Sequence, residues 1–102
     1  MRVIDQVLHS SDVAVGQTRR ASVDGFAILL CNVDGTLYAI EDVCTHDGAP
    51  LDQGELAGCR ITCPRHGAVF DVRTGAVLAL PAVCPLETFP VKIIDGVVYV
   101  DL

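Results

Sequence analysis

Long apolar runs, clustered basic residues and helical periodicity are all missing from this chain, and each absence excludes a class of function. No stretch approaches the eighteen or so apolar residues that a membrane-spanning helix needs, although 51% of the residues are hydrophobic. Met1–Ser10 lacks the apolar core of a signal peptide, so a soluble cytoplasmic protein is expected. Seven basic residues stand against thirteen acidic ones, and only Arg19 and Arg20 are adjacent. Phosphate neutralisation needs clustered Lys and Arg, so nucleic acid and an anionic membrane surface are poor partners for a chain with a formal charge of −6. There is no internal repeat, low-complexity tract or linker, no nucleophile–base motif and no nucleotide-binding glycine loop. With 102 residues the chain is expected to form one domain, residues 1–102, with a modest core that a bound metal group could help to stabilise.

What is present reads as short strands separated by turns. Arg2–Leu8 is β-branched enough for a first strand, and Ser10-Ser11-Asp12 could cap a single helical turn before Gly16. Gln17–Val23, Phe26–Val33 and Thr36–Ile40 are joined by Asp24-Gly25 and Asp34-Gly35, dipeptides that tolerate positive φ and so favour tight hairpins. An antiparallel meander is expected there. Glu55–Leu56 and Arg60–Thr62 flank Gly58, Val69–Val72 and Ala76–Leu80 flank Arg73-Thr74-Gly75, and Thr88–Ile94 pairs with Val97–Asp101 through Asp95-Gly96. The expected fold is all-β, a sandwich or barrel with its functional loops at one end.

Those loops carry the chemistry. Cys44-Thr45-His46 and Cys63-Pro64-Arg65-His66 each bring one Cys and one His to an end of a loop-rich segment, a candidate metal site of two thiolates and two imidazoles. Zinc modules usually pair Cys with Cys and His with His in sequence, as C-x2-4-C followed by H-x3-5-H, whereas both halves here are mixed. A two-iron, two-sulfide centre in which one iron takes both thiolates and the other both imidazoles needs one ligand of each kind from each loop. Neutral imidazoles make such a centre easier to reduce than an all-thiolate one, with potentials of roughly −150 to +300 mV against about −400 mV. Cys31, inside the apolar run Ala27–Val33, is read as a core residue, and Cys59 and Cys84 as structural thiols, with a bridge between those two an open alternative. Five cysteines without a secretory signal argue for reduced thiols rather than a disulfide framework.

From Val43 to Gly75 the sequence resembles the Rieske family, and CTHDGAPLDQGEL and ITCPRHGAVFDVRTG are similar to the two cluster loops of the small Rieske-type ferredoxins of bacterial aromatic-ring dioxygenase systems. The resemblance implies stacked antiparallel sheets with a small cluster-binding subdomain at about residues 42–72, and one [2Fe-2S] cluster held by Cys44, His46, Cys63 and His66. Gly48 and Gly67 would let the loops turn sharply and approach the cluster. Pro81 resembles the proline of a third, shielding loop. Respiratory members of the family have an additional cysteine in each loop, where this chain has Ala49 and Arg65. They also have a serine and a tyrosine that donate to sulfur, where this chain has Ala68 and Phe70, so a potential near the low end of the Rieske range is implied.

The functional expectation is an electron carrier, not an enzyme, passing single electrons from an NAD(P)H-oxidising flavoprotein reductase to the terminal oxygenase of a ring-hydroxylating system, and monomeric when free. Both partners are implied by the resemblance. Glu41, Asp42, Asp47, Asp52 and Glu55 would surround the cluster loops, either steering a basic partner or simply keeping the surface soluble. Two alternatives belong to other classes: a Rieske-like small subunit of an assimilatory nitrite reductase, and a zinc-stabilised interaction module, which would be colourless.

Overall fold

Asp24-Gly25, Asp34-Gly35 and Asp95-Gly96 all adopt positive φ at both residues, from +50° to +52° at the aspartates and from +79° to +93° at the glycines. Turns of this kind match the right-handed twist of paired strands, and they fix the register of three hairpins. In the computed structural model, which describes residues 2–4, 7–44, 48, 50–65, 67–80 and 84–102, the first two turns join β2 (Thr18–Val23), β3 (Phe26–Val33) and β4 (Thr36–Glu41) into the expected meander. A short β9 (Thr88–Phe89) adds to its edge, giving the order β2-β3-β4-β9.

This sheet is the middle layer. Ile28, Leu29, Leu30 and Cys31 are all fully buried, which explains why β3 reads as an unbroken apolar run rather than an alternating one. Side chains alternate across the sheet, so Leu29, Cys31 and Ile40 face one core while Ile28, Leu30, Leu37 and Ala39 face another. The second core is closed by Ile4, Leu8, Val98 and Val100. Val98 and Val100 belong to β11 (Val97–Val100), which lies between β1 (Arg2–Val3) and β10 (Val91–Ile94). The first core is closed by Ile61, Phe70 and Val72 beside a four-stranded sheet in the order β5 (Glu55–Ala57), β6 (Arg60–Thr62), β7 (Val69–Asp71) and β8 (Val77–Ala79).

Three expectations are corrected. The run Thr88–Ile94 is two strands, because Pro90 has no N–H to donate and its ring fixes φ. β9 pairs with β4, and β10 starts afresh in the other sheet against β11. At the start of the chain, strand pairing among the described residues covers Arg2 and Val3, and His9 forms an isolated bridge with Val97. Ser10–Asp12 do not cap a helical turn but constitute one, a single 3₁₀ turn whose Asp12 carboxylate accepts the His9 N–H at 2.9 Å. Among the described residues no helix is long and apolar enough to cross a membrane.

Candidate metal centre

Cys44 lies three residues beyond the end of β4 and Cys63 follows directly on β6, so the middle sheet and the sheet beneath it each deliver one thiol. Both cysteines are buried, at 0% and 1% exposure, and both belong to the core that contains Leu29, Ile40, Leu51, Ile61 and Phe70. The two loops close in the same way. The Gly48 N–H donates to the Cys44 carbonyl at 2.7 Å, and the Gly67 N–H donates to the Cys63 carbonyl at 3.1 Å, each spanning five residues. Gly48 and Gly67 have φ of +76° and +77°, a conformation that other residues adopt at a cost. Among the described residues a Cβ at either glycine would meet nothing within 4 Å, so the left-handed backbone is what calls for glycine. A further bond from the Cys63 N–H to the Ala68 carbonyl, at 2.7 Å, narrows the neck of the second loop.

In sequence His46 falls within the first of these closed turns and His66 within the second. Both histidines lie outside the described residues, as do Thr45, Asp47, Ala49 and Pro81. Among the described residues no three His, Cys, Asp or Glu side chains come together as a metal site. What the described part brings together is the pair of buried thiols, each at the start of a matched turn. That donor set fits a two-iron cluster, which needs thiolates shielded from water on one iron.

Three carboxylates brace the segments that flank the loops. The Asp42 Oδ1 accepts the Leu51 N–H at 2.8 Å, spanning the first loop. Its Oδ2 lies 3.0 Å from Arg20 Nε on β2, an ion pair in which the N–H is not aligned for a hydrogen bond. The Asp42 side chain has no exposure at all, so its expected place in an acidic surface around the loops is overturned. Burial pushes its pKa up, the Leu51 N–H opposes that rise, Asp52 adds to it and Arg20 draws it back. The Glu41 Oε1 accepts the Glu87 N–H at 2.9 Å, while the Glu41 N–H donates to the Glu87 carbonyl at 3.0 Å, securing the segment that leads into β9. Asp71 accepts from Arg73 three times: from its backbone N–H at 2.9 Å, from Nε at 3.2 Å and from a terminal nitrogen at 2.9 Å. The Arg73 side-chain hydrogen bond, above all, holds the Asp71 carboxyl below the usual carboxylate range.

Nothing in the residue pattern near Cys44 distinguishes Asp42 from the half-buried Glu41 and Asp52 or the exposed Glu55, and the role of Arg20 depends on β2, a strand distant in sequence. The other cysteines behave as expected. Cys31 is fully buried, and its thiol is pushed up to about 12 by burial and then by Asp42. Cys59 is half-buried and Cys84 exposed, and none of the five cysteines is in a disulfide, which removes the Cys59–Cys84 alternative. Ala68 and Phe70 are both fully buried.

The model of the Rieske [2Fe-2S] domain matches residues 4–90. The chain belongs to the Rieske [2Fe-2S] family. Among its relatives, the ferredoxin component of the naphthalene 1,2-dioxygenase system of Pseudomonas putida is 39% identical over 92 residues, covering 90% of this chain and 88% of the relative. The ferredoxin component of biphenyl 2,3-dioxygenase from Rhodococcus jostii is 40% identical over 99 residues, covering 97% and 92%. Among solved structures, a chain from the complex of reduced oxygenase and oxidised ferredoxin in carbazole 1,9a-dioxygenase superposes with a TM-score of 0.87 at 37% identity, covering 99% of this chain and 100% of that one. The all-β fold of stacked antiparallel sheets is that of the Rieske ferredoxins, and the protein is an electron carrier of that kind rather than an enzyme.

Proposed function

We propose that this Rieske ferredoxin holds a single [2Fe-2S] cluster on Cys44, His46, Cys63 and His66. It would take electrons one at a time from an NAD(P)H-oxidising flavoprotein reductase and deliver them to the terminal oxygenase of an aromatic-ring dioxygenase system. The observation that supports this reading is the matched pair of Cys-to-Gly turns, with two buried thiols in one core, together with a histidine between Cys and Gly in each stretch of sequence. When bound, the cluster supplies a one-electron couple. The protein's part is to exclude water from the thiolate side, to hold the first loop closed through Asp42, and to present the loop tips to partners. Residues 1–102 act as one domain with its cluster-binding part at about 42–72, working in the cytoplasm and monomeric when free. Relatives named as ferredoxin components favour this over a nitrite reductase subunit. The direct test is purified protein that is red-brown, with iron and acid-labile sulfide in equal amounts, and that restores turnover to an oxygenase supplied with reductase and NAD(P)H. Colourless, zinc-loaded protein would sink the proposal.

The potential should respond to donors near sulfur. Phe70 lies fully buried in the same core as Cys44 and Cys63, and Ala68 accepts the Cys63 N–H. Phe70→Tyr, alone or with Ala68→Ser, supplies the hydroxyls found in respiratory members of the family. A hydrogen bond that strengthens by about 1 kcal/mol on reduction raises a one-electron potential by about 40 mV. A redox titration of the cluster-loaded variants is expected to show rises of that order, larger in the double variant. A fall, with the hydroxyls shown to lie near the cluster, would reject the account of a low potential.

Docking should be governed by charge at the loop tips. Redox interfaces are small and transient, with less than about 1,200 Å² buried in total, so rim charges act mainly on encounter. Arg65 is exposed in the second loop beside His66, and Asp47 adjoins His46 in sequence. Arg65→Glu and Asp47→Lys are expected to change the rate of electron delivery to the oxygenase several-fold at low ionic strength, with the visible spectrum intact and the difference shrinking as salt is added. Wild-type rates in both variants, together with loss of delivery on charge reversal at Arg19, would move the contact surface away from the loop tips.

A further inference from the structure

We propose that Asp42 and Arg20 form a charge pair that positions the first cluster loop and sets the reduction potential, with the buried carboxylate disfavouring the reduced state and the guanidinium offsetting it. This rests on the reading of Cys44 as a cluster ligand. Asp42 begins the connection from β4 to Cys44, and its side chain is wholly removed from water. Through Oδ1 it accepts the Leu51 N–H at 2.8 Å, so one carboxylate bridges both sides of the loop that contains Cys44 and His46. Leu51 is itself fully buried in the core shared by the two thiols. Leaving that N–H without an acceptor would carry the desolvation penalty of a buried donor.

The second oxygen is used differently. Among the described residues Oδ2 makes no hydrogen bond and faces Arg20 Nε at 3.0 Å, whose side chain is 53% exposed. A carboxylate kept in the interior by the backbone N–H groups of Leu51 and Asp52 and one half-exposed guanidinium still holds its charge beside the core. Cys31 registers it, because Asp42 is the second cause, after burial, of that thiol's raised pKa. Cys31 packs in the same core as Cys44 and Cys63. Reduction of a cluster at those thiols adds a negative charge to this environment, so a fixed anion there lowers the potential and a neighbouring cation raises it.

Positioning alone and electrostatic tuning lead to different results. Asp42→Asn keeps an acceptor for the Leu51 N–H and removes the charge. Arg20→Gln removes the opposing charge from β2, and Arg20→Lys restores it. Each variant is purified with its cluster, iron and acid-labile sulfide are measured, and the potential is read by redox titration followed by circular dichroism or EPR. Asp42→Asn is expected to shift the potential upward, Arg20→Gln downward, and Arg20→Lys to return it to near wild type. Shifts of the same sign in the first two, or no shift in either at full cluster content, would overturn the proposal. Should Asp42→Asn lose its cluster, the Arg20 variants decide: a fall in Arg20→Gln reversed by Arg20→Lys supports the pair, and equal potentials reject it. Wild-type protein without iron and sulfide would instead defeat the ligand assignment, an outcome read before any variant is compared.

Discussion

Alanine in place of His66 is expected to abolish the visible and EPR signature of the cluster and to leave protein with little iron or acid-labile sulfide. On the proposed ligand set one iron would lose half of its protein ligands, and the third histidine of the sequence, His9, bridges to Val97 in a different sheet and cannot replace it. The loss should reach the fold as well as the spectrum. Binding of a metal group by ligands that are scattered in the unfolded chain is itself folding free energy. Cluster loss would also return Cys44 and Cys63 to the core as two buried thiols. A lower thermal midpoint should therefore accompany the colour change. His66→Cys makes the complementary test. A third thiolate adds negative charge beside iron, so any cluster that survives should move from the Rieske range towards the roughly −400 mV of all-cysteine centres. His66→Ala protein with unchanged spectra would remove that residue from the ligand set.

The parts of this molecule that could be read from sequence are those whose cause is local. An Asp-Gly pair forms its turn through the φ preferences of two residues, which is why three hairpins stand where the sequence puts them. The paired Cys and His spacings are likewise short-range, and both Cys-to-Gly turns close within five residues. Pro90 was visible too, but the β-branched residues on either side read as one strand. Which sheet each half joins depends on β4 and β11, fifty residues before it and a few after it. Asp42 and Arg20 were not legible for the same reason. The burial of a carboxylate and the approach of a guanidinium to it are tertiary effects, and in sequence Asp42 is one more acid beside Glu41.

Gly75 belongs to this second kind, and its replacement should have the largest effect on stability of any glycine substitution outside the cluster loops. In sequence it ends an ordinary turn, Arg73-Thr74-Gly75. In the fold its N–H donates to the Asp71 carbonyl at 2.7 Å and its carbonyl accepts the Leu86 N–H at 2.8 Å, so it joins the turn to the segment that returns towards β9. Its φ is +81°, and a Cβ there would run into the backbone carbonyl of Leu86, with the Thr88 methyl at 3.3 Å on another side. Gly35 is the control. Its φ of +93° is at least as unfavourable for alanine, but a Cβ would meet nothing within 4 Å. Gly35→Ala should therefore lose only the backbone term, about 1–2 kcal/mol. Gly75→Ala must also move a backbone segment, which places its loss at about 3 kcal/mol or more. Because Leu86 packs in the core with Cys44 and Cys63, displacing it should loosen the floor of the metal centre, and Gly75→Ala is expected to release its cluster at a lower temperature than Gly35→Ala. Unfolding midpoints of both variants, measured at equal cluster loading, check the difference. Equal losses would show that the Leu86 carbonyl yields easily and that positive φ alone accounts for the glycine.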